Sequence, residues 1–503
     1  MDTETVEKLI PVALPPGFAR NGTPLQNRRR WINGHLVRWV DGGLRPVGGW
    51  TAATTAAGAT IQATGFPRAA LAWRKNDSTA WVGVGTHTKL AAYSAGTISD
   101  VTPAGLVTGA ADGSASGGFS AWGSGAWGAG PWGGAGAAGT ITDADVWTLD
   151  NFGENLLGCL TSDGKLYASI PTAQATQLAN SPTSCRALVV TPERFVFALG
   201  AGGDPRLVQW PDQQSLTSWA VAAGSKAGSF PLQTGGRLMA GKRSDRETLL
   251  WTDADLWAAV FIGGTLVYSF QRRGTDCGLL GPNAVCMAGG AAYWMSSKQF
   301  FTYGYPGPIR PIPCEVSDYV FGDLSLAQRA KITAVSMAQF GEVWWFYPSA
   351  SQTGTENDRY VKLNRISGTW DTGNLGRAAG VGTDVFPNPQ FWASDGTLYT
   401  HENGQNRSGQ VAFVESGPLT DGDRVLRIQS LIPDTLQGPL QATLFGKDHP
   451  QSAESTFGPY QLSAITDVRL TTRQPRIKLD DLGAAVDWRL GTINLGVIPA
   501  GYR

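Results

Sequence analysis

Apolar and polar positions along 322–372 fall into four short runs divided by turn signals. The run 332–338 ends at Gln339-Phe340-Gly341 and gives way to 342–347, where Val, Trp, Trp, Phe and Tyr stand together before Pro348. A loop of Ser, Gln, Thr, Gly, Glu and Asn, too poor in apolar residues to pack, leads to 359–363, where Tyr360 is followed by Lys362 in an alternating pattern. Ser367-Gly368 then turns the chain into Thr369-Trp370-Asp371. Four strands of about five residues within about forty predict a small antiparallel sheet, which cannot bury both of its faces alone.

Sheets of this kind bury their faces by stacking around an axis, and the unit recurs. The segment 391–399, FWASDGTLY, repeats the order of 157–167, LGCLTSDGKLY: a strand, a Ser-Asp-Gly turn and a Leu-Tyr strand. Further units at 69–93, 187–210, 248–270 and 284–303 bring the number to six or seven, at the roughly forty-to-fifty-residue spacing of propeller blades. The expected fold is all-β: a β-propeller of six or seven four-stranded blades over 51–407. A two-sheet sandwich or barrel of the same strands is the alternative. After Tyr399 blade spacing is lost, and strands expected near 411–413, 425–428, 438–445, 460–462, 467–471, 475–479 and 487–495 mark an additional β-sandwich-like C-terminal region, 408–503. Residues 1–50 form an N-terminal segment. Its first eight residues are polar and expected to be disordered or a short helical turn, and 27–50 reads as a hairpin around Asn33-Gly34 and Asp41-Gly42-Gly43 turns.

Inside the propeller span lies 114–139, a low-complexity glycine segment with Trp122, Trp127 and Trp132 at intervals of five. Glycine and serine oppose regular structure there, whereas three tryptophans cost free energy if left in water. Two readings stay open: a loop folding its tryptophans back on its own subunit, or an arm docking on a neighbour. Base stacking is disfavoured, because the segment has no Lys or Arg to accompany its aromatic rings.

The 65 glycines among 503 residues suit many tight turns, and 40 basic against 40 acidic residues leave no net charge to attract nucleic acid or a membrane surface. With 19 Trp and 19 Phe in so neutral a chain, an oligomer covering part of the surface is expected. The five cysteines have no CxxC spacing and are expected to be reduced core residues. No signal peptide is expected, and the longest apolar stretch, 256–262, is far short of the roughly twenty residues that span a bilayer.

Candidate chemistry is sparse. His35, His87, His401 and His449 form no HxH, HExxH or Cys/His cluster, and there is no GxSxG, Walker or Rossmann motif. No metal or cofactor is expected. Asp253, Asp255, Asp371, Asp395 and Asp421 could supply carboxylates to a propeller glycosidase, but the Ser-Asp-Gly turns lack a full S-x-D-x-G-x-T-W order, so no enzyme activity is expected. Arg28-Arg29-Arg30, the sole basic triplet, reads either as a solvated or salt-bridged hairpin edge or as a contact to phosphate or an acidic partner. A second basic group, Arg469, Arg473, Arg476 and Lys478, reads as a salt-bridged outer face or a contact to a neighbouring subunit.

The stretches 277–285 (CGLLGPNAV), 292–295 (AYWM), 299–303 (QFFTY), 316–321 (VSDYVF), 342–348 (EVWWFYP) and 357–361 (NDRYV), in that order and spacing, resemble the tail nozzle, or tail hub, proteins of short-tailed bacteriophages. The N-terminal 43–50 (GLRPVGGW) is similar to a hairpin of the same family. The resemblance covers about 27–50 and 249–399 and brings no catalytic motif. It implies a homohexameric ring in the virion tail, made in the host cytoplasm. The ring would lie below the portal-adaptor protein, touch tail fibre or spike and tail tip proteins, and surround a channel through which duplex DNA leaves without sequence-specific binding. A host-surface glycan-binding propeller is the second reading, and a propeller glycosidase the third.

Overall fold

The computed structural model describes residues 7–116, 140–264, 266–420, 424–436, 438–483 and 485–499. Among these, seven four-stranded antiparallel sheets form the blades, I to VII, of a β-propeller. The first strands of the blades are Pro67–Arg74, Trp147–Phe152, Ala187–Val190, Leu238–Arg243, Val285–Ala288, Thr333–Met337 and Ala379–Val381. Six of the seven line a common central channel of about 360 Å³, and the Ala187–Val190 strand packs between its neighbours beside it.

Blade VI consists of Thr333–Met337, Glu342–Tyr347, Arg359–Asn364 and Trp370–Gly373, the four strands expected from the apolar runs. All six residues of Glu342–Tyr347 are buried, since the strand is covered on both faces, and this is why it reads as a continuous aromatic run rather than an alternating one. Blade VII has three strands of its own, and the fourth is Trp50–Ala52 from the N-terminal side, with His401 opposite Trp50 and their rings stacked at 5.0 Å. This closing strand joins the two ends of the propeller by main-chain hydrogen bonds.

Apart from one two-stranded pair, Ser114–Ser116 with Thr140–Thr142, the remaining strands make two further sheets that draw on both ends of the chain. One contains Lys8–Val12, Val37–Val40, Gly43–Pro46, Leu426–Leu436, Thr466–Thr472 and Arg489–Pro499; the other contains Trp31–His35, Phe413–Ser416, Leu440–Lys447, Ser455–Gln461 and Gln474–Asp481. Asp41-Gly42 is a hairpin turn as expected, with φ of 50° and 78°. Asn33-Gly34 is not a turn: it lies within Trp31–His35, where a Cβ on Gly34 would stand 2.2 Å from Phe18 Cζ and 2.8 Å from the Phe413 carbonyl oxygen. Its glycine serves close packing rather than chain reversal. Lys8–Val12 is also a strand, paired to the distant Arg489–Pro499, and its first residue closes the segment 1–8 expected to be disordered or a short helical turn.

Both sheets lean on blade VI. Phe18 N donates to the Trp370 carbonyl at 2.7 Å, and Leu36 N donates to the Tyr360 hydroxyl at 2.8 Å. Between them lies a buried ionic cluster. Arg38 forks onto Glu342 with two bonds of 2.9 Å and onto Glu402, while Lys362 Nζ lies 3.0 Å from both Glu342 and Asp371. Two cations thus face three carboxylates. Burial alone would raise Glu342, but Arg38 and Lys362 hold it down to about 2. Asp371 is the carboxylate left over: burial pushes it up to about 6 despite its contact with Lys362.

Candidate functional site

The glycine- and tryptophan-rich segment departs from the propeller between blades I and II. Its two flanks, Ser114–Ser116 and Thr140–Thr142, pair antiparallel as the foot of a hairpin. Trp122, Trp127 and Trp132 lie outside the described residues. The foot is held at the propeller face where the last strand of each blade connects to the next blade.

Two sets of polar contacts fasten it. Gln328 reaches from the connection between blades V and VI and exchanges hydrogen bonds with Gly113: the Gly113 N–H donates to Oε1 at 2.9 Å, and Nε2 donates to the Gly113 carbonyl at 2.8 Å. Only glycine fits there, because a Cβ on residue 113 would stand 1.9 Å from the Ala327 carbonyl oxygen. Beside this pair, the buried Lys331 ammonium lies 2.7 Å from Asp112 and 2.9 Å from Glu356. Glu356 also receives both terminal nitrogens of buried Arg68 at 2.8 Å, and Arg68 Nη2 donates to the Ala111 carbonyl. Four chain segments therefore meet in one network, and each buried cation finds a carboxylate.

On the other flank, Asp143 lies 2.6 Å from Arg237 and 2.9 Å from Arg329. Burial opposes its charge, yet the two guanidiniums hold its carboxyl below the usual range. Asp143, Asp145, Arg186 and Arg237 line a cavity of about 310 Å³ with Ala144, Val146 and Ala330 packed beside it. Close by, Asn283 crosses the channel axis. It precedes blade V, and its Nδ2 donates to the Arg68 carbonyl of blade I at 2.8 Å and to the Trp147 carbonyl of blade II at 3.2 Å; its own carbonyl accepts from Ala334 N of blade VI. The channel is bridged at this end.

The residues singled out in the sequence are dispersed. Arg30 forms a bidentate pair with Glu315 at 3.0 and 2.5 Å, and Arg29 N donates to the Pro418 carbonyl; Arg28 has an interaction of its own. Arg476 forks onto Glu454, and Lys478 lies over the Phe413 ring. The candidate carboxylates have separate partners: Asp253 meets Arg237, Asp255 accepts from Thr234, Asp371 belongs to the cluster on blade VI, and Asp395 caps its own turn at Thr397 N. Asp421 lies outside the described residues. Burial pushes His35 down to about 4, and buried His401 accepts from Arg377 Nε at 2.9 Å, so both imidazoles are neutral packing groups. The five cysteines are unpaired and four are buried. Among the described residues, no three His, Cys, Asp or Glu side chains gather as a metal site.

Asp112, Lys331, Glu356, Arg68 and Asn283 carried no signal in the sequence, because they converge from five separate segments with no fixed spacing. The nearest local sign is the position of Asp112-Gly113 at the border of the low-complexity segment, and there the chain is anchored.

Fold and site together define the class: a seven-bladed β-propeller carrying a second, two-sheet β-region. No family model matches the chain, and no curated protein matches it. Among solved structures it is similar to virginiamycin B lyase from Staphylococcus aureus, at 8% identity over 68% of this chain and 97% of that one, with a TM-score of 0.42. It is also similar to BamB from Moraxella catarrhalis, at 9% identity over 73% and 93% with a TM-score of 0.38. The Neurospora crassa Pan2 WD40 domain matches at 7% identity over 74% and 99%, with a TM-score of 0.40. These likenesses concern the propeller fold alone.

Proposed function

We propose that this chain is a structural subunit of a bacteriophage tail, a nozzle or hub protein that forms a ring, six-membered by resemblance, around the DNA-ejection channel below the portal-adaptor. The observation that carries the reading is the fastening of the foot at Asp112, Gly113 and Asp143. Buried cations are committed to holding a hairpin whose continuation is glycine with three evenly spaced tryptophans, a composition suited to docking on a neighbour. The sequence resemblance over 27–50 and 249–399 supports the same reading. The propeller's own channel is bridged by Asn283, so a duplex would pass between subunits rather than through a blade ring. The chain acts as scaffold and carries out no hydrolysis.

The test is the native mass of the purified protein, alone and with its adaptor, together with negative-stain images. A closed ring is expected, weakened by Trp122→Ala/Trp127→Ala/Trp132→Ala with the β-rich circular dichroism intact. A monomer under both conditions would sink the reading. Unfolding of the triple variant would assign the tryptophans to their own subunit.

A further inference from the structure

The two faces of the propeller differ in chemistry. At the face opposite the arm's foot, each blade turns from first to second strand near the axis, and every blade but VII also turns from third to fourth strand at the rim. The rim turns of blades II to VI are 170–175, 211–227, 262–267, 304–309 and 365–369. Across all five, the charged side chains are only Asp212, Lys226 and Arg365. Yet every one of them presents a large apolar side chain to solvent: Ile170, Val221, Ile262 with Leu266, Tyr305 and Ile366, the most exposed being Ile366 at 78%, Val221 at 76% and Leu266 at 73%. The other exposed large apolar residues of the propeller, Phe66, Val107 and Leu326, lie in connections between blades on the opposite face, which also holds the ion pairs of Lys331, Arg68 and Arg237. Single exposed apolar side chains are ordinary on a protein surface, but their placement on five consecutive rim turns is not scatter.

We propose that this rim is a lipid-contacting edge, whose turns insert apolar side chains one or two at a time into the interfacial zone of a bilayer. A protein partner requires a continuous, closely packed area, whereas these side chains stand apart on separate blades and line none of the cavities described above. Fluid acyl chains close around each protruding side chain separately, so a bilayer accepts spaced points that a rigid surface does not. The five turns carry one carboxylate, Asp212, and two cations, Lys226 and Arg365, and Arg365 adjoins Ile366. Cations at the base of an apolar tip sit at the depth of lipid phosphates. The proposal stands on the turns alone and does not depend on the tail-ring reading.

Flotation of the full chain with vesicles of phosphatidylethanolamine and a minority of phosphatidylglycerol tests it. The wild type is expected to float with the vesicles and to remain bound at high salt, which screens charge but not apolar insertion. Val221→Ser/Leu266→Ser/Ile366→Ser should lower the partition coefficient by about tenfold for each side chain removed. These positions are exposed, so circular dichroism should not change; should the triple variant misfold, Leu266→Ser alone carries the test with its single tenfold loss. Wild-type protein that stays in the soluble fraction, or a triple variant that floats as well as wild type, overturns the proposal. So does a rim substitution that alters the native mass while neither protein binds vesicles, since the rim would then be a protein contact.

Discussion

Asp371→Asn is expected to stabilise the protein at alkaline pH and to lose that effect as the pH falls. In the buried cluster on blade VI, Arg38 and Lys362 face Glu342, Glu402 and Asp371, and Asp371 is pushed up from 3.8 to about 6. A carboxyl whose folded value is raised contributes stability that is fully present below 3.8 and is lost as the pH rises through 6. At about 1.4 kcal/mol per unit, that difference corresponds to about 3 kcal/mol withheld from the folded state at pH 8. Asparagine keeps the shape and removes the third negative charge, leaving two cations against two anions. Because the charged contact to Lys362 is given up as well, a net gain of about 1–3 kcal/mol is expected at pH 8. With an unfolding entropy of roughly 2 cal/mol/K per residue, this corresponds to a rise of about 1–3 °C in the melting temperature. Differential scanning fluorimetry at pH 8 and pH 4.5 measures both arms, and the gain should shrink toward zero at the lower pH. A loss of stability of equal size at the two pH values would refute the charge-imbalance account.

The foot of the arm gives two further contrasts. Glu356→Gln takes from buried Arg68 its carboxylate partner and from buried Lys331 one of two, and should cost about 3 kcal/mol or more, with faster amide exchange over 109–116, whereas Asp112→Asn, at a half-exposed carboxylate, should cost under about 1 kcal/mol; equal effects would mean that Lys331 is not held as described. Gly113→Ala should destabilise by about 2 kcal/mol or more because its Cβ meets the Ala327 carbonyl, while Gly105→Ala, in open space with a φ of 70°, should cost about 1 kcal/mol through backbone strain alone. Chemical denaturation followed by circular dichroism separates the two glycines.

What could be read from the chain was what local patterning governs. In blade VI the four runs became four strands with ends within one or two residues of expectation, and the aromatic run 342–347 declared a strand buried on both faces. The later strands of the C-terminal region could also be placed by their alternation, which Thr466–Thr472 shows as strictly buried-then-exposed positions. Long-range pairing could not be read. Nothing near Trp50 says that it will complete a blade begun at Ala379, and nothing near Lys8 says that its partner is Val497. The glycine at 34 was misjudged for a related reason: a glycine needed for close approach and one needed for a turn look alike until the neighbour, here Phe18, is in place. The site was still less legible, since Arg68, Asp112, Lys331 and Glu356 become neighbours only after the blades have closed into a ring.

The sharing of two sheets between the chain's ends sets an order of events during synthesis. Trp31–His35 and Gly43–Pro46 leave the ribosome early, but their partners Phe413–Ser416 and Arg489–Pro499 follow more than 360 residues later. At about 5–20 residues per second, the N-terminal strands wait on the order of half a minute with their edges unpaired. Blade VII waits as well, because its closing strand is already made when its first strand is not. The propeller therefore has to form as an open arc and close late, and the sheets that hold the first strands to emerge are completed only by the last ones made.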